Sequence, residues 1–182
     1  KVITILIISI LIAGGFYWIF KSANSPKPGQ EIADLGRGHV PAETEIKYNS
    51  NPPTSGSHEV SWEKSGIYQD PLEDRKLVHS LEHGYIIISY NCLYKTTSDP
   101  KDSTPSAKTE NDTECKNLVS ELTKVAKNQG LKKLIVVPRP NLDNRIALTA
   151  WTKLDKFTDF DEKRINTFIQ AYWDRGPEKT ME

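Results

Sequence analysis

The sequence predicts an α+β fold. It reads as a small α/β sandwich with elements in the order α-β-α-β-β-α, behind a long ordered N-terminal loop region and a single N-terminal transmembrane helix. Three observations predict it. Val2–Phe20, "VITILIISILIAGGFYWIF", carries no charge. "YIIISY" (Tyr85–Tyr90), a β-rich apolar run, directly follows an amphipathic stretch. Beyond Cys115, two more β-rich runs lie between two segments of helical periodicity.

At 1.5 Å per residue, Val2–Phe20 spans about 28 Å as a helix, close to the roughly 30 Å hydrocarbon core of a bilayer. Tyr17 and Trp18 sit near one end, where aromatic rings favour the interface. A cleavable signal peptide has a shorter apolar region and a small-x-small cleavage site. The run therefore favours an uncleaved anchor over residues 1–21. "SANSPKPGQ" opens a polar linker over residues 22–35. Residues 36–178 suit one domain, and residues 179–182 a tail.

Up to Pro71 the domain is dense in Gly, Pro, Ser and Asn. Short extended pieces such as Glu45–Tyr48 fit there. Ile46, Tyr48, Trp62, Ile67 and Tyr68 need packing partners, so the region reads as ordered loop. Pro71 suits a first helical residue, Glu73 and Asp74 suit the first turn, and Gly84 suits a terminating glycine. A helix over Leu72–His83 follows. "YIIISY" then reads as a central strand. "CKNLVSELTKVAKNQG" is amphipathic and closes at Gly130; "KKLIVVPRP" is a second strand. "RIALTAW" (Arg145–Trp151) is a third, with Asn141–Asn144 as a hairpin turn. "DFDEKRINTFIQAYWDRG" is a last helix, capped by Asp159 or Asp161 and ended by Gly176. The strand–helix–strand unit implies a parallel, right-handed crossover.

Lysine plus arginine equal aspartate plus glutamate at 24 each, with no basic stripe. Phosphate binding needs clustered positive charge, so nucleic acid is not an expected partner. The two cysteines, Cys92 and Cys115, flank a polar stretch without apolar periodicity. Residues 93–114 read as a surface insertion, and behind a membrane anchor a disulfide at its base is expected.

All four histidines fall between His39 and His83. His79 and His83, four apart on a helix, share a face, and Glu82 borders it. "HSLEH" has the H-x-x-E-H spacing of certain zinc proteases, with the glutamate as general base. His39 after "GRG" and His58 after "PPTSGS" lie on loops. Together, His39, His58, His79 and His83 make a candidate metal set. Imidazole suits copper and zinc among other ions. Taken singly, each histidine also fits a structural role: His83 at a helix C-terminus, His39 and His58 in turns. Glu82 could instead pair with Arg75, Lys76 or Arg37. Tyr48, Trp62, Tyr68 and Tyr85 could wall such a site or simply pack. Met181, the single methionine, reads as an incidental tail residue.

The strings "GHV", "Y-x-x-x-P-P-T-S-G-x-H" and "VHSLEHGYIIISY", with "ALTAW" and "GPE" further on, resemble the prokaryotic domain of unknown function (DUF) family 3105. The resemblance covers about Gly36–Glu178. It implies an extracytoplasmic, membrane-anchored domain. It also implies a signature containing His39, Pro52, Pro53, Ser55, Gly56, His58, His79, Glu82, His83 and Gly84, and no established activity. The expected function is binding of a transition metal, copper first and zinc second, for metal handling or support of another membrane protein. Two alternatives stand beside it. One is a metal-dependent hydrolase with Glu82 as base. The other is a metal-free interaction module in which the histidines hold loops together.

Overall fold

The computed structural model describes residues 2–23, 27–94 and 105–180. A six-stranded mixed sheet has the order β1-β6-β5-β3-β4-β2. The strands are β1 (Gln30–Glu31), β2 (Gly66–Ile67), β3 (Ile86–Tyr90), β4 (Leu134–Pro138), β5 (Ile146–Ala150) and β6 (Lys153–Phe157). The helices are α1 (Val2–Ala23), α2 (Asp74–Glu82), α3 (Pro105–Asn128) and α4 (Glu162–Tyr172).

The apolar run at Ile86–Tyr90 is the central strand, buried at every position. Its alternate side chains serve two cores. Ile86, Ile88 and Tyr90 pack with Leu118, Leu122 and Phe168 of α3 and α4. Ile87 faces the other way, with Leu77 and Leu81 of α2. The sheet thus separates α3 and α4 from α2 and the long loops. β3 and β4 are parallel neighbours, as the crossover requires.

The expected hairpin between the second and third runs is not formed. β5 pairs antiparallel with β3, not β4. The connecting loop passes over the end of β3 instead: Arg139 N–H donates to Tyr90 O, and Asn91 N–H to Arg145 O. That path delivers β5 to the opposite edge of the central strand. β6 was not expected from the sequence at all. "KLDKF" lacks an apolar run, and the turn before it has no glycine; Thr152 takes the left-handed conformation, φ 59°. Asp155 of β6 is buried because Arg164 of α4 reaches it at 2.6 Å.

Several boundaries differ. α2 begins at Asp74 after an extended Glu73 (φ −71°, ψ 129°), so Pro71 and Leu72 precede the helix. Glu45–Tyr48 is not a strand. Of the expected insertion 93–114, residues from Pro105 onward belong to α3 and residues 95–104 lie outside the described part. Cys92 and Cys115 form the expected disulfide, which therefore joins the end of β3 to a helix. α4 is capped by Asp161, which accepts from Arg164 N–H. It ends at Tyr172, with Trp173 as the capping residue, and not at Gly176; Asp174 adopts the left-handed turn, φ 55°.

In α1 the described side chains are Ile3 and Ile7–Trp18, all exposed. Among the described residues no helix is long and apolar enough to cross a membrane. The expected transmembrane helix finds no support there.

The N-terminal loop region is ordered, as its aromatics require. Tyr48 Oη donates to Ser57 O (3.0 Å) and Asn49 Nδ2 to Ala33 O (2.8 Å). Thr54, Ser55 and His58 are fully buried.

Candidate metal centre

Two loops and one helix build the site. Gly56 N–H donates to Gly36 O, His58 N–H to Gly38 O and Val40 N–H to His58 O. These bonds lay the two loops side by side in parallel and put His39 opposite His58. Helix α2 supplies His79 and Glu82, which share a face by their spacing. Glu59 N–H donates to Arg75 O at 3.4 Å. Ser80, inside "HSLEH", accepts from Glu63 N–H and donates to Glu63 O. The segment carrying Glu59 and Trp62 is thereby fastened to the helix.

His39, His58, His79 and Glu82 each bring one ligand atom to within 4.8 Å of the others. His39 is exposed and the other three are buried. Ring centroids lie 4.8 Å apart for His58 and His79 and 5.0 Å from each to His39. These four residues could hold a metal ion. His83 stands outside the set: its Nε2 is 3.1 Å from His79 Nε2 and 4.0 Å from Glu178 Oε2.

Two imidazoles are oriented by backbone carbonyls. His58 Nδ1 lies 2.8 Å from Gly56 O, and His79 Nδ1 lies 2.7 Å from Glu59 O. A carbonyl only accepts, so each Nδ1 carries the hydrogen and, in the neutral ring, each Nε2 carries the lone pair. Backbone carbonyls commonly fix metal-binding histidines in this way. Glu82 Oε2 sits 2.9 Å from His58 Nε2. Both atoms are buried without a hydrogen-bond partner despite that distance. Arg37, at 3.8 Å, is the cation nearest Glu82 Oε1. Arg75 turns instead to Thr44 O.

Of the neighbouring aromatics, Trp62 stands against His83 (4.8 Å) and His79 (5.4 Å). Tyr68 and Tyr85 belong to the α2-side core. Trp151, which the sequence offered only as a strand end, lies edge-on to His58 at 6.5 Å. The carbonyls of Gly56 and Glu59 went unnoticed because a backbone acceptor has no side-chain signal. Met181 lies outside the described residues.

Burial holds His79 below the ordinary histidine pKa; the Glu59 carbonyl opposes this, and His83, His58 and His39 add to it. A group with a lowered native pKa binds fewer protons folded than unfolded. Its contribution to stability is thus present above about pH 6.5 and is lost as pH falls through the depressed value. Thermal unfolding of the metal-free protein between neutral pH and about pH 5.5 is expected to show falling stability. His79→Gln is expected to flatten that slope. Equal slopes would remove His79 as its source.

The family described as "Protein of unknown function (DUF3105)" matches residues 39–102 and 108–182. Neither a curated protein nor a solved structure matches the chain. The family match takes in His39, His58, His79, Glu82 and His83 and covers most of the chain, which therefore belongs to the DUF3105 family.

Proposed function

We propose that this protein is a membrane-anchored extracytoplasmic domain that binds one transition-metal ion through His39, His58, His79 and Glu82. The observation that carries the reading is the contact between His58 Nε2 and Glu82 Oε2. His58 Nε2 and Glu82 Oε2 stand 2.9 Å apart, both buried and neither in a hydrogen bond, and with Nδ1–H on the Gly56 carbonyl the neutral His58 ring offers a lone pair at Nε2. Two buried acceptors in contact call for a shared cation. A second imidazole, His79, aims its Nε2 from an equally fixed ring. At metal–ligand bonds of about 2.0–2.2 Å, tetrahedral ligand atoms stand roughly 3.3–3.6 Å apart. The side chains would draw in by about an ångström at their widest.

Three imidazoles and a carboxylate, with no sulfur ligand, favour a divalent ion over Cu(I). Copper comes first because Cu²⁺ tops the affinity order for nitrogen and oxygen sites, and zinc second. Anchoring is supported by the uncharged run Val2–Phe20 within α1 and by its exposed apolar side chains, such as Leu11, Phe16 and Trp18. A disulfide suits an oxidising compartment. Metal handling, or support of another membrane protein, is the use such a domain would serve.

The test is metal content of the full chain in detergent, purified without a histidine tag and loaded with Cu²⁺ or Zn²⁺. About one equivalent is expected in the wild type, with loss in His58→Ala/His79→Ala. Bound ion is also expected to raise the unfolding temperature. A wild type that retains neither ion ends this reading.

A further inference from the structure

His83 belongs to the same helix face yet stands outside the converging set, and a carboxylate waits beside it. We infer that His83 and Glu178 form an outer coordination position through which the ion is loaded into, and released from, the inner site. The inference rests on the metal reading above.

Three donors run from the surface inward. The Glu178 side chain is half exposed and its Oε2 is 4.0 Å from His83 Nε2. The His83 side chain is buried, and its Nε2 is 3.1 Å from His79 Nε2. Two nitrogens bound to one ion at about 2.0–2.1 Å stand roughly 3.3 Å apart. An ion between His79 and His83 therefore needs almost no rearrangement. The Glu178–His83 separation of 4.0 Å is too long for a hydrogen bond, and the half-exposed Glu178 side chain would close it by about half an ångström to share a tetrahedral ion with His83.

Glu178 is held in place from several directions. Asp174 N–H donates to Gly84 O and Glu178 N–H to Glu82 O, so the segment after α4 is bonded to the end of α2. Arg37 Nη1 donates to Pro177 O. Lys133, almost fully buried, donates through Nζ to His83 O, to Asp174 Oδ1 and to Thr180 O. One ammonium thus clamps the His83 backbone and both ends of the segment that carries Glu178. Trp62 covers the other side of His83.

The protons balance. With Nδ1–H bonded to Glu59 O, neutral His79 accepts at Nε2, and His83 Nε2–H is the donor of the 3.1 Å contact. On capture, the ion bonds Glu178 Oε2. His83 then changes tautomer: Nε2 gives its proton to solvent and Nδ1 takes one from solvent, so the ring stays neutral and offers its Nε2 lone pair. The ion then bonds His83 Nε2 and His79 Nε2. As bonds to His39, His58 and Glu82 form, the His83 bond breaks, Nδ1 gives up its proton and Nε2 takes one back. No oxidation state changes.

The test compares the full-length wild type with Glu178→Gln and His83→Gln, by stopped-flow uptake of Cu²⁺ read through tryptophan quenching, and by transfer of bound Cu²⁺ to a chelator. Glu178→Gln alters an exposed side chain, so its fold should be intact by circular dichroism. Expected are unchanged stoichiometry and a fall of about tenfold in both uptake and release, the mark of a raised exchange barrier at constant affinity. Rates equal to wild type in both variants would overturn the inference. So would lost stoichiometry or faster release at normal uptake in His83→Gln, because His83 would then be an inner ligand. A wild type that binds no ion fails the metal reading itself, and this inference with it.

Discussion

Gly176→Ala is expected to destabilise the protein by about 3 kcal/mol, the upper part of the usual range for overpacking. A Cβ on residue 176 would overlap the Glu82 carbonyl oxygen and the Gly84 amide nitrogen. Those are backbone atoms at the end of α2 and cannot swing aside. Opposite them, Gly84 (φ +84°) faces Asp174 Cα so closely that a Cβ there would lie 2.8 Å from it. The two segments pack backbone to backbone, which only glycine permits. If the segment after α4 lifted away to relieve the overlap, Glu178 N–H would lose Glu82 O, and Lys133 would lose Asp174 and Thr180. A buried ammonium stripped of its carboxylate costs about as much as the overlap itself. For a chain of this size the unfolding temperature should drop by roughly 6–12 °C. Gly38→Ala is the control, since an added Cβ there meets nothing nearer than Ser57 Oγ at 3.8 Å. An unchanged melting temperature in Gly176→Ala would show that this contact is looser than the geometry says.

Legibility in the sequence followed the kind of signal each element carries. Ile86–Tyr90 is apolar on both faces, and that alone marked it as central. The parallel partner followed from the intervening helix. Strand order beyond that did not. Whether β5 returns beside β4 or crosses to the far edge of β3 is set by bonds from Arg139 and Arg145 to the end of β3. No local pattern encodes them. Strand β6 escaped because its buried member is Asp155, whose burial depends on Arg164 from a distant helix. At the site, the clustering of four histidines was plain. Spacing could not rank Glu82 against His83, because positions three and four along a helix both face the same way as His79. The ranking comes from the His58 loop, which meets Glu82, and from the segment after α4, which meets His83. Buried Lys133 reads in sequence as an ordinary surface residue in "KKL". Its burial follows from three oxygens brought together by segments far apart in the chain.

Glu82→Gln is expected to abolish metal retention while leaving the metal-free fold intact. Glutamine has nearly the same shape. Its amide can donate to His58 Nε2, where the carboxylate now faces a lone pair, and its carbonyl can face Arg37 in place of Oε1. The empty site would therefore be at least as well satisfied as before, and the unfolding temperature without metal should not fall. For the ion, the substitution removes the only negative charge among the four converging residues. Losing an outer partner of a metal ligand typically weakens binding by about 10–100-fold, so losing a ligand should cost more than about 100-fold. Under the hydrolase reading, in which Glu82 activates a metal-bound water, the same variant would keep its ion and lose turnover. Under the interaction-module reading it would change stability with no metal linkage at all. Metal content and unfolding temperature, measured with and without added Cu²⁺ or Zn²⁺, separate the three. Full retention of the ion by Glu82→Gln would take Glu82 out of the ligand set and leave His83 to complete it.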